Sequence, residues 1–98
     1  MYARLTTTRL AADERDATAE VVPEILPTLR RLDGFKGLIV VSEGDGQRIV
    51  ALSLWESAEA LQANTDILDG LRDAETVGRN VETQESSAFR VVAFDLAG

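Results

Sequence analysis

The sequence predicts an α+β fold, and three observations support this assignment. Four β-rich runs and two amphipathic helical runs alternate in the order strand, helix, strand, strand, helix, strand. The second and third strands flank a Gly-Asp-Gly turn at residues 44–46, which is typical of a β-hairpin. With 98 residues, 45% of them hydrophobic, the chain has the size of one small domain, residues 1–98. The compact arrangement is a ferredoxin-like split βαβ, a four-stranded antiparallel sheet with both helices on one face.

The first strand and the first helix fill the N-terminal third of the chain. Residues 2–10 combine three consecutive threonines with apolar and arginine neighbours, which favours a strand. Asp13 is a good N-cap for the helix that follows, whose apolar stripe recurs at three- and four-residue spacing (Ala17, Val21, Val22, Ile25, Leu26, Leu29 and Leu32). Pro23 and Pro27 lie inside this stripe, so we expect a kink, or a break near Val22. Gly34 closes the helix as a left-handed C-terminal residue.

The hairpin and the second helix follow directly. Phe35–Ser42 and Arg48–Trp55 are the two hairpin strands. Ser57 is the N-cap of the second helix, which carries a second apolar stripe (Ala60, Leu61, Asn64, Ile67, Leu68 and Leu71). Gly70 and Gly78 weaken this helix, so two short pieces are an alternative to one continuous helix.

Both faces of the predicted sheet are apolar, including the face that the helices leave open. Apolar side chains stand on both sides of Arg48–Trp55 and of the predicted last strand, Ala88–Leu96. Covering roughly 600 Å² on each of two copies, at about 25 cal/mol per Å², gives about 30 kcal/mol of gross driving force against an association cost of roughly 4–15 kcal/mol. We therefore expect a homodimer in which the two sheets pack face to face. A shifted strand register is the alternative.

Charge and missing residue types exclude several functions. The 17 Asp and Glu residues outnumber 10 Lys and Arg residues, and a net charge of −7 argues against a nucleic-acid partner. The absence of His and Cys excludes Ser-His-Asp and Cys-His catalysis and removes the usual ligands of zinc and haem. Glu43–Gly46 lacks the pattern of a calcium loop, so neither a metal nor a cofactor is expected. No apolar run is long enough to span a membrane, and residues 1–9 lack a signal-peptide core, which indicates a cytoplasmic protein.

Two short motifs carry a resemblance to a known family. Leu52–Leu61 contains a strand that ends in Trp-Glu-Ser and turns directly into a helix, and Leu32–Gly37 contains a Gly-Phe-x-Gly that joins a helix to a strand. Both resemble the antibiotic biosynthesis monooxygenase family of dimeric α/β-barrel proteins, whose element order matches nearly the whole chain. The resemblance implies a homodimer with facing sheets and an apolar pocket between each sheet and its own helices. Better-known members oxidise phenolic or quinol-like polyketides with O2 and without metal or flavin, and others degrade haem.

The resemblance also implies positions for site residues, and this chain departs from several of them. It retains the family's Trp as Trp55. Counting from that residue, the polyketide oxygenases place an Asn, a His and a Tyr where this chain has Ala51, Val41 and Leu61. An Arg in the later helical region corresponds loosely to Arg72. The haem-degrading branch binds the haem iron through an axial His. This chain contains no histidine, which argues against haem chemistry.

The candidate pocket residues are aromatic, amide, cationic, hydroxyl and aliphatic side chains (Trp55, Asn64, Arg90, Arg4, Thr6, Leu61 and Leu68). Trp55 either stacks on an aromatic ligand or anchors the end of its strand. Asn64 either orients a ligand oxygen or caps a helix. Arg4 and Arg90 lie on the two terminal strands, where they either bind an enolate or carboxylate or pair with surface acids. No catalytic residue is assigned. Asp66, Asp69 and Asp73 have the spacing of a solvated helix face.

Three functions fit these observations. The first is a cofactor-independent monooxygenase that acts on a small aromatic, quinol or polyketide-like compound, for which an Arg or Asn would stabilise an enolate. The second is a non-catalytic or regulatory dimeric module that binds a small apolar ligand, which the missing Asn, His and Tyr favour. The third is an isomerase or decarboxylase that uses a carboxylate base.

Overall fold

The computed structural model describes residues 1–10, 17–44, 47–76 and 81–97 of the chain, and it has the predicted ferredoxin-like fold. Its elements are β1 (Tyr2–Leu10), α1 (Ala17–Arg30), β2 (Phe35–Ser42), β3 (Arg48–Trp55), α2 (Ala58–Ala63), α3 (Thr65–Thr76) and β4 (Val81–Arg90). The four strands form one antiparallel sheet in the order β2-β3-β1-β4. β1 and β3 are therefore the central strands, and β2 and β4 are the edges.

The last strand differs from the prediction. The sequence predicted Ala88–Leu96, whereas β4 runs from Val81 to Arg90. Tyr2, the first residue of β1, pairs with Arg90, and the Val91 N–H donates to the Met1 carbonyl at 3.0 Å, so β1 offers no further residue to pair with residues 92–97. The polar first half of β4 is a strand because it pairs with the threonines of β1, a contact that local hydropathy does not report.

α1 is one helix despite its two prolines. It runs from Ala17 to Arg30, so the break expected near Val22 does not occur. Pro23 and Pro27 are exposed, four residues apart on the outer side, while Leu29 is buried on the inner side. Burial of that inner side stabilises the helix against the two missing N–H donors. The predicted N-cap Asp13 lies outside the described residues.

The second helical segment is in two pieces, α2 and α3, which meet at Asn64. The predicted N-cap is confirmed, because the Ser57 hydroxyl accepts a hydrogen bond from the Ala60 N–H at 3.1 Å. The division falls at Asn64, the C-cap of α2, and Gly70 lies inside α3. Gly78 lies outside the described residues.

The main core lies between the sheet and the helices. Trp55 is fully buried there with Leu29, Leu61 and Leu68. The Phe35 ring meets the Trp55 ring edge to face, with 5.5 Å between the centroids. A smaller cluster of Leu10, Ile49 and Val40 extends the core along the sheet.

The opposite face of the sheet has no helix over it. The strand registers place Leu5, Leu52, Ile39, Val41 and Phe89 on this open face. Ile39, Val41 and Phe89 are among the large apolar side chains that stay exposed, as do Val92, Phe94 and Leu96 after β4. Within the described residues, no helix is long and apolar enough to cross a membrane.

Gly34 allows the α1–β2 turn to pack closely against α2. Its φ is +84°, which confirms the predicted left-handed residue. A Cβ built on Gly34 would lie 2.5 Å from the Cβ of Ala60, and the Gly34 carbonyl accepts a hydrogen bond from the Glu56 N–H at 2.8 Å. Only glycine satisfies both the conformation and this close contact.

Replacing Gly34 by Ala is expected to lower the free energy of unfolding by at least about 1–3 kcal/mol, because it adds left-handed strain and a clash with Ala60. Gly70→Ala is the matched control. Gly70 is inside α3, where an added Cβ would meet no packing neighbour within 4 Å, so alanine there should raise the free energy of unfolding by about 0.5–1 kcal/mol. Urea denaturation measures the free energy of unfolding of both variants. Equal effects of the two substitutions would contradict the special requirement for glycine at position 34.

Candidate functional site

The aromatic and aliphatic candidates lie in the packed core. Trp55, Leu61 and Leu68 belong to one cluster, and Trp55 has no exposed surface. Its indole N–H donates to the Ser53 hydroxyl at 2.9 Å. Trp55 therefore anchors the end of β3, and a ligand would reach its ring only if neighbouring side chains moved.

Asn64 joins three segments of the backbone. Its side-chain amide donates to the carbonyl of Ala60 at 2.8 Å and to the carbonyl of Asp33 at 3.2 Å. Both N–H donors of the primary amide are thereby engaged, one with a carbonyl inside α2 and the other with the α1–β2 turn. The Asn64 amide holds the turn containing Gly34 against α2.

Arg4 and Thr6 contribute to a polar cluster between the sheet and α3. We call Arg4, Thr6, Asp69, Arg72 and Ser86 the Ser86 cluster. Thr6 and Ser86 are paired across β1 and β4, and their hydroxyls are 3.0 Å apart. Arg4 Nη2 donates to Asp69 Oδ1 at 2.7 Å and to Ser86 Oγ at 3.3 Å. The cluster thus connects β1, β4 and α3.

The hydrogen bonds at Ser86 have one consistent arrangement. Its Oγ accepts from Arg4 Nη2 at 3.3 Å and from Arg72 Nη1 at 3.1 Å. A hydroxyl has two acceptor lone pairs and one hydrogen, so the Ser86 hydrogen is directed to Thr6 Oγ1. Two guanidinium groups consequently converge on one neutral oxygen atom.

Asp69 is a carboxylate that lies within ion-pair distance of both cations of the cluster. Arg72 Nη1 is 3.9 Å from Asp69 Oδ1, and Arg72 Nε is 3.5 Å from Oδ1 of Asp73. The hydrogen bond from Arg4 and the positive charges of Arg4 and Arg72 lower the pKa of Asp69 below its ordinary value of 3.8, although partial desolvation opposes them. Asp69 is therefore a weak proton acceptor, and its role is to orient Arg4.

The Ser86 cluster is open at its outer end. Exposure of the side chains increases from Arg4 at 9% to Arg72 at 28% and Asp69 at 43%. An anion that approaches from the α3 side can reach the Arg72 guanidinium and, by displacing Asp69, that of Arg4. Guanidinium groups in a partly dry site stabilise phenolate, enolate and carboxylate oxygens.

Arg90 is not part of this cluster. It lies opposite Tyr2 at the end of β4, two residues beyond the partner of Arg4, and it is exposed. The spacing of Asp66, Asp69 and Asp73 predicts a solvated face, and no sequence pattern points directly to Ser86. The signals that could have found them were the Asp69–Arg72 spacing on one helix and the run of hydroxyls on the inner face of β1.

A cleft of about 590 Å³ lies elsewhere in the same layer, between α1 and the edge strand β2. Its lining combines hydrocarbon side chains with two cationic ones, and polar and apolar atoms contribute nearly equal surface (Val22, Leu26, Arg30, Phe35, Lys36, Gly37, Leu38 and Val40). Within the part of the chain that the structure describes, no group of three or more His, Cys, Asp or Glu residues is arranged to hold a metal ion.

Comparison with known proteins identifies the family. The family model described as antibiotic biosynthesis monooxygenase matches residues 1–66. The chain belongs to this family. The resemblance of Trp-Glu-Ser and Gly-Phe-x-Gly to this antibiotic biosynthesis monooxygenase family is thus confirmed.

A curated relative and two solved structures extend the comparison. The uncharacterized protein Rv2557 of Mycobacterium tuberculosis is 32% identical over 88 residues, which cover 87% of this chain and 39% of the relative, so the chain spans well under half of that relative's length. A monooxygenase from the gene ActVA-Orf6 of Streptomyces coelicolor was solved with Nanaomycin D. It has a TM-score of 0.77 at 16% sequence identity, and the match covers 99% of this chain and 92% of the monooxygenase chain. SnoaB from Streptomyces nogalater, a cofactor-independent oxygenase solved as an N63A mutant, has a TM-score of 0.72 at 16% identity, with 95% and 94% coverage. At 16% identity, these two structures show that this chain shares their fold.

The lowered pKa of Asp69 generates a prediction about stability in acid. A carboxylate whose pKa is lower in the folded than in the unfolded protein stabilises the fold above the unfolded pKa, and this contribution is lost as the pH falls through the folded pKa. Asp69→Asn should therefore reduce the free energy of unfolding at neutral pH, and the difference from the unmodified protein should shrink below pH 3.8.

Urea denaturation between pH 7 and pH 2.5 or so measures this difference. Asp66→Asn, on the exposed side of the same helix, is the matched control. A difference for Asp69→Asn that stays constant across the acid range would contradict the proposed ion pair.

Proposed function

We propose that this protein is a cofactor-independent monooxygenase that acts on a small phenolic, quinol or polyketide-like compound, bound as its anion at the Ser86 cluster. The observation that supports this proposal is the convergence of the Arg4 and Arg72 guanidinium groups on Ser86 Oγ, at 3.3 and 3.1 Å. Arg72 is also the residue that corresponds loosely to an Arg of the polyketide oxygenases. SnoaB is described as a cofactor-independent oxygenase, and the ActVA-Orf6 structure holds Nanaomycin D.

The proposed reaction requires the protein to stabilise an anionic form of the substrate. The substrate loses a proton from its hydroxyl, and the resulting carbanion-like anion supplies the electrons that reduce O2. One oxygen atom enters the substrate, and the other leaves as water together with two hydrogens of the substrate. Arg4 and Arg72 lower the free energy of the anion, and each pKa unit by which they acidify the substrate corresponds to about 1.4 kcal/mol.

Asp69 is assigned a positioning role in this reaction. Its lowered pKa makes it a poor base, whereas its 2.7 Å hydrogen bond fixes the Arg4 guanidinium. The proton of the substrate hydroxyl then passes to solvent at the exposed side of the cluster. Thr6 contributes indirectly, because it receives the Ser86 hydrogen and leaves the Ser86 lone pairs for the arginines.

Oxygen uptake tests the proposed activity. With menadiol and a panel of related quinols, the protein should consume O2 faster than the spontaneous rate, and Arg72→Gln should reduce the enzymatic part about tenfold because one oxyanion-stabilising donor is lost. Arg48→Gln removes an exposed arginine that pairs with Glu43, so it should leave the rate unchanged. O2 consumption no faster than the spontaneous rate with every quinol of the panel would contradict the proposed oxygenase activity.

A non-catalytic ligand-binding module is the second candidate function. It is favoured by the buried Trp55, whose N–H is already bonded to Ser53, and by the structural use of the Asn64 amide. Ala51 and Leu61 also stand where the polyketide oxygenases have an Asn and a Tyr. A module of this kind would be stabilised thermally by a quinone or phenol without any consumption of O2.

We propose further that two copies associate through the open sheet face. Its exposed residues Ile39, Val41 and Phe89 form the outer part of an apolar surface that continues over Leu5 and Leu52. Large exposed apolar patches on globular proteins are typical of protein–protein association surfaces. The exposed apolar residues after β4 add to the surface that a partner would cover.

Sedimentation equilibrium tests this interface. Ile39→Asp should shift the protein from dimer toward monomer, because it would bury an unpaired carboxylate between two sheets. Ile67→Asp is the matched control, since Ile67 and Ile39 are both 45% exposed but Ile67 lies on α3, on the other side of the sheet. A monomer for the unmodified protein at micromolar concentration, or an equal effect of both substitutions, would contradict the sheet-face dimer.

A further inference from the structure

We propose that the cleft between α1 and β2 is a second ligand site, which binds a small apolar carboxylate with its carboxylate held by Arg30 and Lys36. This site is separate from the Ser86 cluster and goes beyond the proposed oxygenase activity. The cleft has a volume of about 590 Å³, which lies in the range of small-molecule sites. One of its walls is the inner side of α1 and the other is the edge strand β2.

The chain direction gives the cleft a cationic end and an apolar end. α1 is followed by a tight turn and then by β2, so Arg30 at the end of the helix lies near Lys36 at the start of the strand. Val22 and Val40 lie toward the far end. Eight helical residues from Val22 to Arg30 rise about 12 Å, and four strand residues from Lys36 to Val40 rise about 13 Å. The two walls therefore have the same length.

The body of the cleft suits an apolar molecule. Leu26 on α1 and Phe35, Leu38 and Val40 on β2 contribute hydrocarbon side chains, and Gly37 contributes no side chain beyond hydrogen. A Cβ at Gly37 would approach Leu54 at 3.7 Å, on the open face of the sheet, so this position faces away from the helices. Displacement of water from these walls would supply the nonspecific part of the affinity.

The cationic end selects an anion. Arg30 and Lys36 have no ion-pair partner among the residues that the structure describes, although the chain carries a net charge of −7. Arg31 adds a third positive charge at the same turn, and Asp33 is the carboxylate in that turn. The fork of an arginine and the point charge of a lysine together fit the two oxygens of a carboxylate. A ligand about as long as the cleft, with one terminal carboxylate, satisfies both ends.

Trp55 reports on occupancy of the cleft. Phe35 lines the cleft and also packs edge to face on the Trp55 ring, 5.5 Å away between centroids. Trp55 is the one tryptophan of the chain. Movement of Phe35 when the cleft fills should therefore change the intrinsic fluorescence of a single, identified residue.

The probe is decanoate, titrated into the full chain below its micelle concentration and followed by Trp55 fluorescence. Decan-1-ol, which has the same apolar body without the charge, is the comparison ligand. We expect decanoate to bind roughly three- to tenfold more tightly than decan-1-ol, and Arg30→Gln with Lys36→Gln to remove that difference. Both side chains are exposed, so the double variant should fold normally, and Arg48→Gln is the control for general loss of positive charge.

Amide chemical shifts locate the bound probe. Decanoate should shift the amides of Leu26, Lys36 and Leu38. Equal affinity for decanoate and decan-1-ol, no effect of the double variant, or shifts confined to Val50 and Leu52 on the open face would each overturn the proposal. Arg72→Gln distinguishes the two sites: it should abolish most quinol-dependent O2 uptake while leaving decanoate affinity unchanged, and decanoate binding is expected whether or not the protein consumes O2.

Discussion

Arg4 carries a permanent positive charge into the layer between the sheet and the helices, where it must be neutralised. Its guanidinium is almost fully buried on a central strand, and an unpaired charge in that environment would cost several kcal/mol. Asp69 on α3 and Ser86 on β4 meet this requirement, and Arg72 joins them through the same serine hydroxyl. One buried charge thus determines how α3 and β4 are set against β1, and it also creates the strongest candidate for anion binding.

The helix–sheet layer is divided into a polar and an apolar part. Around Trp55, Leu61 and Leu68 the packing is dense, and polar groups such as the indole N–H and the Asn64 amide are bonded internally. Around Ser86 the side chains become steadily more exposed toward solvent. Ala51 pairs with Thr6 in the sheet, whereas Leu61 belongs to the core around Trp55.

The two faces of the sheet have different roles. The inner face holds the core, the Ser86 cluster and the walls of the α1–β2 cleft, whereas the open face carries Ile39, Val41 and Phe89 without a helix to cover them. This asymmetry follows from the split βαβ topology, because both crossover connections lie on the same side of the sheet. A site on the inner face and an association surface on the open face can therefore exist in one small domain without competing for the same residues.

The sequence by itself determined the order of the elements, the hairpin strands, the Ser57 cap and the left-handed Gly34, because each depends on residues that are close along the chain. The tertiary structure alone decided that β4 spans Val81–Arg90, that α1 continues through two prolines, and that Trp55 is closed to solvent. It also brought Arg4 to Asp69 and Ser86, which are 65 and 82 residues away. Residue patterns report local backbone preference and amphipathicity, whereas a strand's partner and the counter-ion of a buried charge are chosen by the packing of the whole chain.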